Sequence, residues 1–118
     1  MKYALLIYGT DTGWADLSDE EKVERRAEVL PRWYELFEEL RRSDPEVGGQ
    51  ELDERRTAKV VRVRDGERVV TDGPFAETKE YIGGLFVIDV PDLDEAIRLS
   101  SLIPTAETGA IEIRPLVV

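Results

Sequence analysis

Residues 57–75 read Thr-Ala-Lys-Val-Val-Arg-Val-Arg-Asp-Gly-Glu-Arg-Val-Val-Thr-Asp-Gly-Pro-Phe. Lys59, Val61 and Val63 alternate with Ala58, Val60 and Arg62, the period of a strand. Asp65-Gly66 is a two-residue hairpin signal, because the tight turn that suits twisted strands needs positive φ at both central positions. The return strand then runs from Glu67 to Thr71. In that register Arg64 faces Glu67 and Val61 faces Val70, one charge pair and one apolar pair. The hairpin delivers the chain to Asp72-Gly73-Pro74-Phe75-Ala76-Glu77-Thr78-Lys79-Glu80, which follows neither a helical nor a strand period. Gly73 opens backbone angles closed to other residues and Pro74 fixes its own, so a stiff bend is expected there.

On the C-terminal side, residues 81–90 predict a strand entered through Gly83-Gly84, with Leu85, Phe86, Val87 and Ile88 making both faces apolar. Such a strand lies inside a sheet. Asp92 with Glu95 predicts a helix N-terminus, and Leu93, Ala96 and Ile97 its apolar stripe, to about Leu102. Residues 104–109 read as a loop, and residues 110–115 as an edge strand in which Ile111 and Ile113 alternate with Glu112 and Arg114.

On the N-terminal side, Gly48-Gly49 reads as a turn into a polar segment ending near Arg56. Before it, Ser18 with Glu21 matches a capping box, so a helix begins at about Asp19. Val23, Ala27, Leu30, Tyr34, Phe37 and Leu40 recur at steps of three and four and predict one buried stripe. Pro31 removes a hydrogen bond to Ala27 and predicts a kink, and Ser43-Asp44-Pro45 ends the helix. Residues 9–16 read as a loop carrying Trp14. Residues 2–8 predict a second central strand, with Tyr3, Leu5 and Ile7 on one face and Ala4, Leu6 and Tyr8 on the other.

The order is strand, long helix, strand with its hairpin, strand, helix, strand. It predicts an α+β fold of the ferredoxin-like, split βαβ kind with an extra hairpin, as one domain over residues 1–118. Two helices cover one face of the sheet only. The other apolar face predicts a homodimer through that open face, a dimeric α/β barrel.

Composition narrows the chemistry. With 16 basic and 26 acidic residues the formal charge is −10, which opposes a nucleic-acid partner. The chain has no Cys and no His. Disulfides, thiolate nucleophiles and the commonest general base and metal ligand are thereby excluded. Neither an EF-hand pattern nor a phosphate-binding glycine loop occurs, so no metal and no cofactor are expected. No apolar run has membrane-spanning length. A chain that opens directly on a strand leaves no room for a signal peptide, which predicts a cytoplasmic protein.

Residues 2–9 (Lys-Tyr-Ala-Leu-Leu-Ile-Tyr-Gly), Gly48-Gly49 before Leu52, residues 61–65, residues 71–80, the run Val90-Pro91-Asp92-Leu93-Asp94-Glu95-Ala96 and Glu112-Ile113-Arg114-Pro115 together resemble the YCII-related family. More narrowly they look like its DGPF-domain branch, named for residues matching Asp72 to Phe75. The resemblance covers almost the whole chain. It implies a ferredoxin-like fold, a dimeric barrel, and a bacterial protein whose relatives are often encoded beside sigma factors of the extracytoplasmic-function group. Wider relatives suggest a His and Asp pair beside the long helix; this chain has no His, so that mechanism does not transfer. Pro31, and Asp44-Pro45 where a glycine turn is usual, also depart from the branch.

Asp72 is the catalytic candidate. Buried at the bend, its carboxyl would have a raised pKa and act as a general base; alternatively it accepts backbone hydrogen bonds from Phe75 or Ala76 and simply forms the turn. Tyr8, Trp33, Phe75, Lys79 and Arg114 are candidates for ligand binding. Glu77 and Glu80, with Lys79, would orient a polar substrate or form a solvated charged turn. For Tyr8, Trp33 and Phe75 the alternative is core packing, and for Arg114 a surface or dimer ion pair. Two functions remain open: a small-molecule pocket between the sheet and the long helix, with cofactor-free chemistry centred on Asp72, or a non-catalytic regulatory module contacting a sigma factor.

Overall fold

The computed structural model describes residues 1–10, 13–76 and 78–117. In chain order its elements are β1 (Lys2–Thr10), α1 (Asp19–Ser43), β2 (Gly48–Glu51), β3 (Lys59–Arg64), β4 (Glu67–Asp72), β5 (Glu80–Asp89), α2 (Leu93–Ser101) and β6 (Ala110–Pro115), with single 3-10 turns at Trp14–Asp16, Arg55–Thr57 and Pro104–Glu107. One antiparallel sheet has the order β2-β5-β1-β6; β3 and β4 pair separately. This is the ferredoxin-like α+β arrangement with an inserted hairpin.

The two strands apolar on both faces are the central ones. Tyr3, Leu5 and Ile7 are buried on the helix side with Ile88, and Phe86 packs against them. Leu36 and Leu40 of α1, Ala96 and Leu99 of α2, Val90 and Ile103 complete the core. Across β1 and β5 the register steps after Ile7: Ile7 faces Gly84 and Tyr8 faces Ile82, leaving Gly83 as the extra residue of a bulge.

Local chemistry sets the ends. At α1 the Ser18 hydroxyl accepts from the Glu21 amide and the Glu21 carboxylate accepts from the Ser18 amide; at α2 the Asp92 carboxylate accepts from the Glu95 amide at 2.9 Å. The hairpin turn has φ of 51° at Asp65 and 77° at Gly66, and Arg64 pairs with Glu67 and Val61 with Val70.

Three expectations are corrected. The strand that joins β5 at the edge of the main sheet is β2, not the strand at Lys59–Arg64. Its residues Gly-Gly-Gln-Glu are all exposed and show no apolar alternation. A Cβ at Gly49 would lie 2.4 Å from the Phe86 ring, so the glycine leaves room for an aromatic side chain that closes the core.

The inward stripe of α1 is turned by about one residue. Trp33, Leu36 and Leu40 pack on the core, with Phe37 beside them, whereas Val23, Leu30 and Tyr34 are 67%, 40% and 58% exposed. In the first turns the half-buried Lys22 and the exposed Arg26 lie 5.9 and 5.6 Å from the Trp14 ring centroid and pair with Glu54 and Glu51. Long cationic side chains cover apolar surface with their stems while keeping their charges paired. Lastly, Gly73 has no positive φ. It is needed for close approach, since a Cβ there would stand 2.8 Å from that of Ala58.

The radius of gyration is 16.4 Å and the extents are 46 × 42 × 22 Å. A compact chain of this length has a radius of about 13.5 Å. The excess fits a flat molecule with a projecting hairpin: all six residues of β4 and four of the six in β3 are exposed.

Candidate functional site

The candidate residues fall into three places. Tyr8 and Arg114 share the sheet face that no helix covers, because the register sets Tyr8 opposite Ala110 and Ala4 opposite Arg114 while Ile111 and Ile113 turn to the core. Around them Ala4, Leu6, Leu85 and Val87 are half-buried. Glu112 stands between the two: the Tyr8 hydroxyl donates to its Oε1 at 3.3 Å and the Arg114 guanidinium to its Oε2 at 3.0 Å. The result is a connected polar group set into an apolar surface. Glu112 was read only as the outward residue of an edge strand; its two-residue spacing from Arg114 is the signal that places both on one face.

Trp33 lies on the opposite side of the sheet, its ring 6.2 Å from Phe37, which in turn meets Phe86 edge-on at 6.2 Å. It is a core-packing residue, remote from Tyr8 and Arg114.

Asp72, Phe75 and Lys79 follow the hairpin. The Asp72 carboxylate accepts from the Lys59 ammonium directly across the ladder, and its side chain is 85% exposed. The Lys59 hydrogen bond, and then its charge, hold the Asp72 carboxyl below its ordinary value. The burial that would raise it is absent from the single chain, and among the described residues its partner is Lys59 rather than the backbone of Phe75 or Ala76. Phe75 is 78% exposed with the Arg62 guanidinium 5.4 Å from its ring centroid. Lys79 and Glu80 are exposed, and Glu77 lies outside the described residues. The 72–80 connection is tied down at Arg55, which donates to the Thr78 carbonyl at 3.1 Å and stacks 4.5 Å over Tyr81.

Beneath the first turns of α1, Glu54 receives Lys22 and Arg56. Hydrogen bonds from Arg56 and Lys22 pull its carboxyl down to about 2. An open depression of about 230 Å³ beside them is lined by Trp14, Arg25, Arg26, Glu28 and Val29. Among the described residues no three His, Cys, Asp or Glu side chains are grouped so as to hold a metal ion, and no helix is long and apolar enough to cross a membrane.

The model of the YCII-related domain matches residues 1–118. The chain belongs to the YCII-related family. An uncharacterized protein of Rhizobium meliloti (strain 1021) is 35% identical to it over 121 residues, spanning 98% of this chain and 92% of that protein. The likeness of this YCII-related chain to that relative thus spans nearly its whole length.

Proposed function

We propose that the protein is a small-molecule-binding domain that works as a homodimer, with Tyr8, Glu112 and Arg114 as the groups that meet the ligand. The observation that carries this reading is the hydrogen-bonded Tyr8–Glu112–Arg114 group on the uncovered, otherwise apolar sheet face. A second copy laid on that face would exclude water from the group. In a drier setting its hydrogen bonds and charges act more strongly. The planar Arg114 guanidinium suits a carboxylate, which it can grip with two hydrogen bonds. Between the sheet and the second half of α1 the space is taken by Trp33, Leu36, Phe37 and Phe86, which favours a ligand between copies over one beneath the helix.

Asp72 enters this reading as an ionised hydrogen-bond acceptor paired with Lys59. A carboxyl held below its ordinary value is a weak base at neutral pH, so binding is favoured over proton abstraction. The test is a thermal-shift survey of small mono- and dicarboxylates on the wild-type chain, Arg114→Gln and Asp72→Asn. At least one compound raises the wild-type transition and loses most of its effect in Arg114→Gln. Identical responses from all three proteins would remove the site.

The exposed hairpin favours a second reading, a regulatory module that docks on an extracytoplasmic-function sigma factor. Its support would be a stable complex between the two purified proteins that Arg114→Gln leaves intact.

A further inference from the structure

Besides the open sheet face, two further apolar surfaces are left uncovered among the described residues, and they lie on different elements. On the hairpin, Lys59, Val61 and Val63 share a face with Asp72, Val70 and Arg68, and Val61, Val63 and Val70 are 59%, 63% and 54% exposed. A lone two-stranded hairpin is marginal in water. On α1, Val23, Ala27, Leu30 and Tyr34 follow at helical spacing and are all exposed. Their spacing is that of a buried helix stripe, yet the residues that α1 turns to the core are Trp33, Leu36 and Leu40.

We propose that the Val61–Val63–Val70 face of the hairpin seats on the Val23–Leu30–Tyr34 stripe of α1 in a second copy of this chain, each copy giving its hairpin to the other. The inference rests on the homodimer put forward above and adds a contact separate from the open sheet face. Dimensions agree: six-residue strands reach about 20 Å, and the stripe from residue 23 to residue 34 extends about 17 Å.

Charge agrees as well. On a chain of −10, residues 59–72 carry Lys59, Arg62, Arg64 and Arg68 against Asp65, Glu67 and Asp72, a local net of +1. The helix segment at residues 19–35 carries six acidic and four basic residues. Of those four, Lys22, Arg26 and Arg32 are committed to Glu54, Glu51 and Glu107 outside the helix. The helix surface around the stripe is thus negative and the hairpin positive, an arrangement that draws two otherwise repelling chains together by these parts. A two-fold dimer makes the contact twice. Seating this face also covers the Asp72–Lys59 pair, which shares it, so the candidate carboxylate becomes enclosed only in the dimer.

Sedimentation equilibrium on the wild type, Val61→Asp, Leu30→Asp and the double variant tests the contact. The wild type is a dimer, each single change raises the dimer dissociation constant about 100-fold or more, and the double variant is little worse than either alone because both remove one contact. Because the chain contains no Cys, a Tyr34→Cys/Val63→Cys double variant supplies a second measurement: oxidation links two chains, while either single variant does not give the same ladder. A monomeric wild type overturns the homodimer reading and this contact together. A dimer whose constant is unchanged by Val61→Asp and Leu30→Asp, with no 34–63 cross-link, overturns this contact alone.

Discussion

Asp44 ends α1 and is only 8% exposed, and both of its carboxylate oxygens are used. Oδ1 accepts from the Glu46 amide at 3.0 Å and Oδ2 from the Asp89 amide at 2.9 Å, so one side chain closes the turn into β2 and pins it to the end of β5. Asp44→Ala leaves two partly buried N–H groups without acceptors. At about 1–3 kcal/mol for each such group, the expected loss is about 3 kcal/mol, a fall of roughly 10 °C in the transition of a chain this size. Asp44→Asn keeps one acceptor oxygen and the shape, and should lose about half as much. Urea unfolding at one fixed protein concentration gives both numbers, with an unchanged m-value confirming that the fold persists. A loss under about 1 kcal/mol for Asp44→Ala, or equal losses for Ala and Asn, would refute the two-acceptor account.

Further outcomes follow from single positions. A Cβ at Gly109 would lie 2.0 Å from the Tyr8 carbonyl oxygen and 3.3 Å from Gly9 Cα, backbone that has to part; Gly109→Ala should cost about 1–3 kcal/mol in urea unfolding and weaken any carboxylate response that depends on Tyr8. The Ser100 hydroxyl is buried without a partner among the described residues, so Ser100→Ala should leave stability unchanged or raise it by up to about 1 kcal/mol; a clear loss would reveal a partner. Glu54 has its carboxyl lowered from 4.5 to about 2. A lowered folded-state value contributes stability above the unfolded value and loses it as pH falls through the folded one. Acid titration of unfolding between about pH 4.5 and 2 should therefore be flatter in Glu54→Gln than in the wild type.

Much of the fold was legible because local signals and global pattern agreed. The Asp65-Gly66 turn fixed the hairpin register, the Ser18–Glu21 and Asp92–Glu95 pairs fixed both helix starts, and apolar residues on both faces marked β1 and β5 as central. What stayed hidden was set by tertiary contacts. The edge strand Gly48–Glu51 has no apolar alternation, its role resting on backbone pairing with β5 and on the space Gly49 leaves for Phe86. Periodicity marked Val23, Leu30 and Tyr34 as the buried stripe of α1, since it counts apolar residues and ignores cationic stems. The core takes Trp33, Leu36 and Leu40 from α1, while Lys22 and Arg26 lie over Trp14 and the apolar stripe stays outside.

The site was less legible than the fold for a related reason. The irregular 72–80 run drew attention to Asp72, yet a carboxylate across from a lysine in a ladder is an exposed ion pair in one chain. Strand parity places Tyr8, Glu112 and Arg114 together only after the pairing of β1 with β6 is known.

The proposed association of two copies would cover the open sheet face and enclose Asp72. Multi-angle light scattering across a concentration series tests it most directly. The account predicts a mass near twice the 13.4 kDa of the chain that falls toward one chain on dilution of Val61→Asp before it does so for the wild type. A mass of 13.4 kDa for the wild type at every concentration would contradict it.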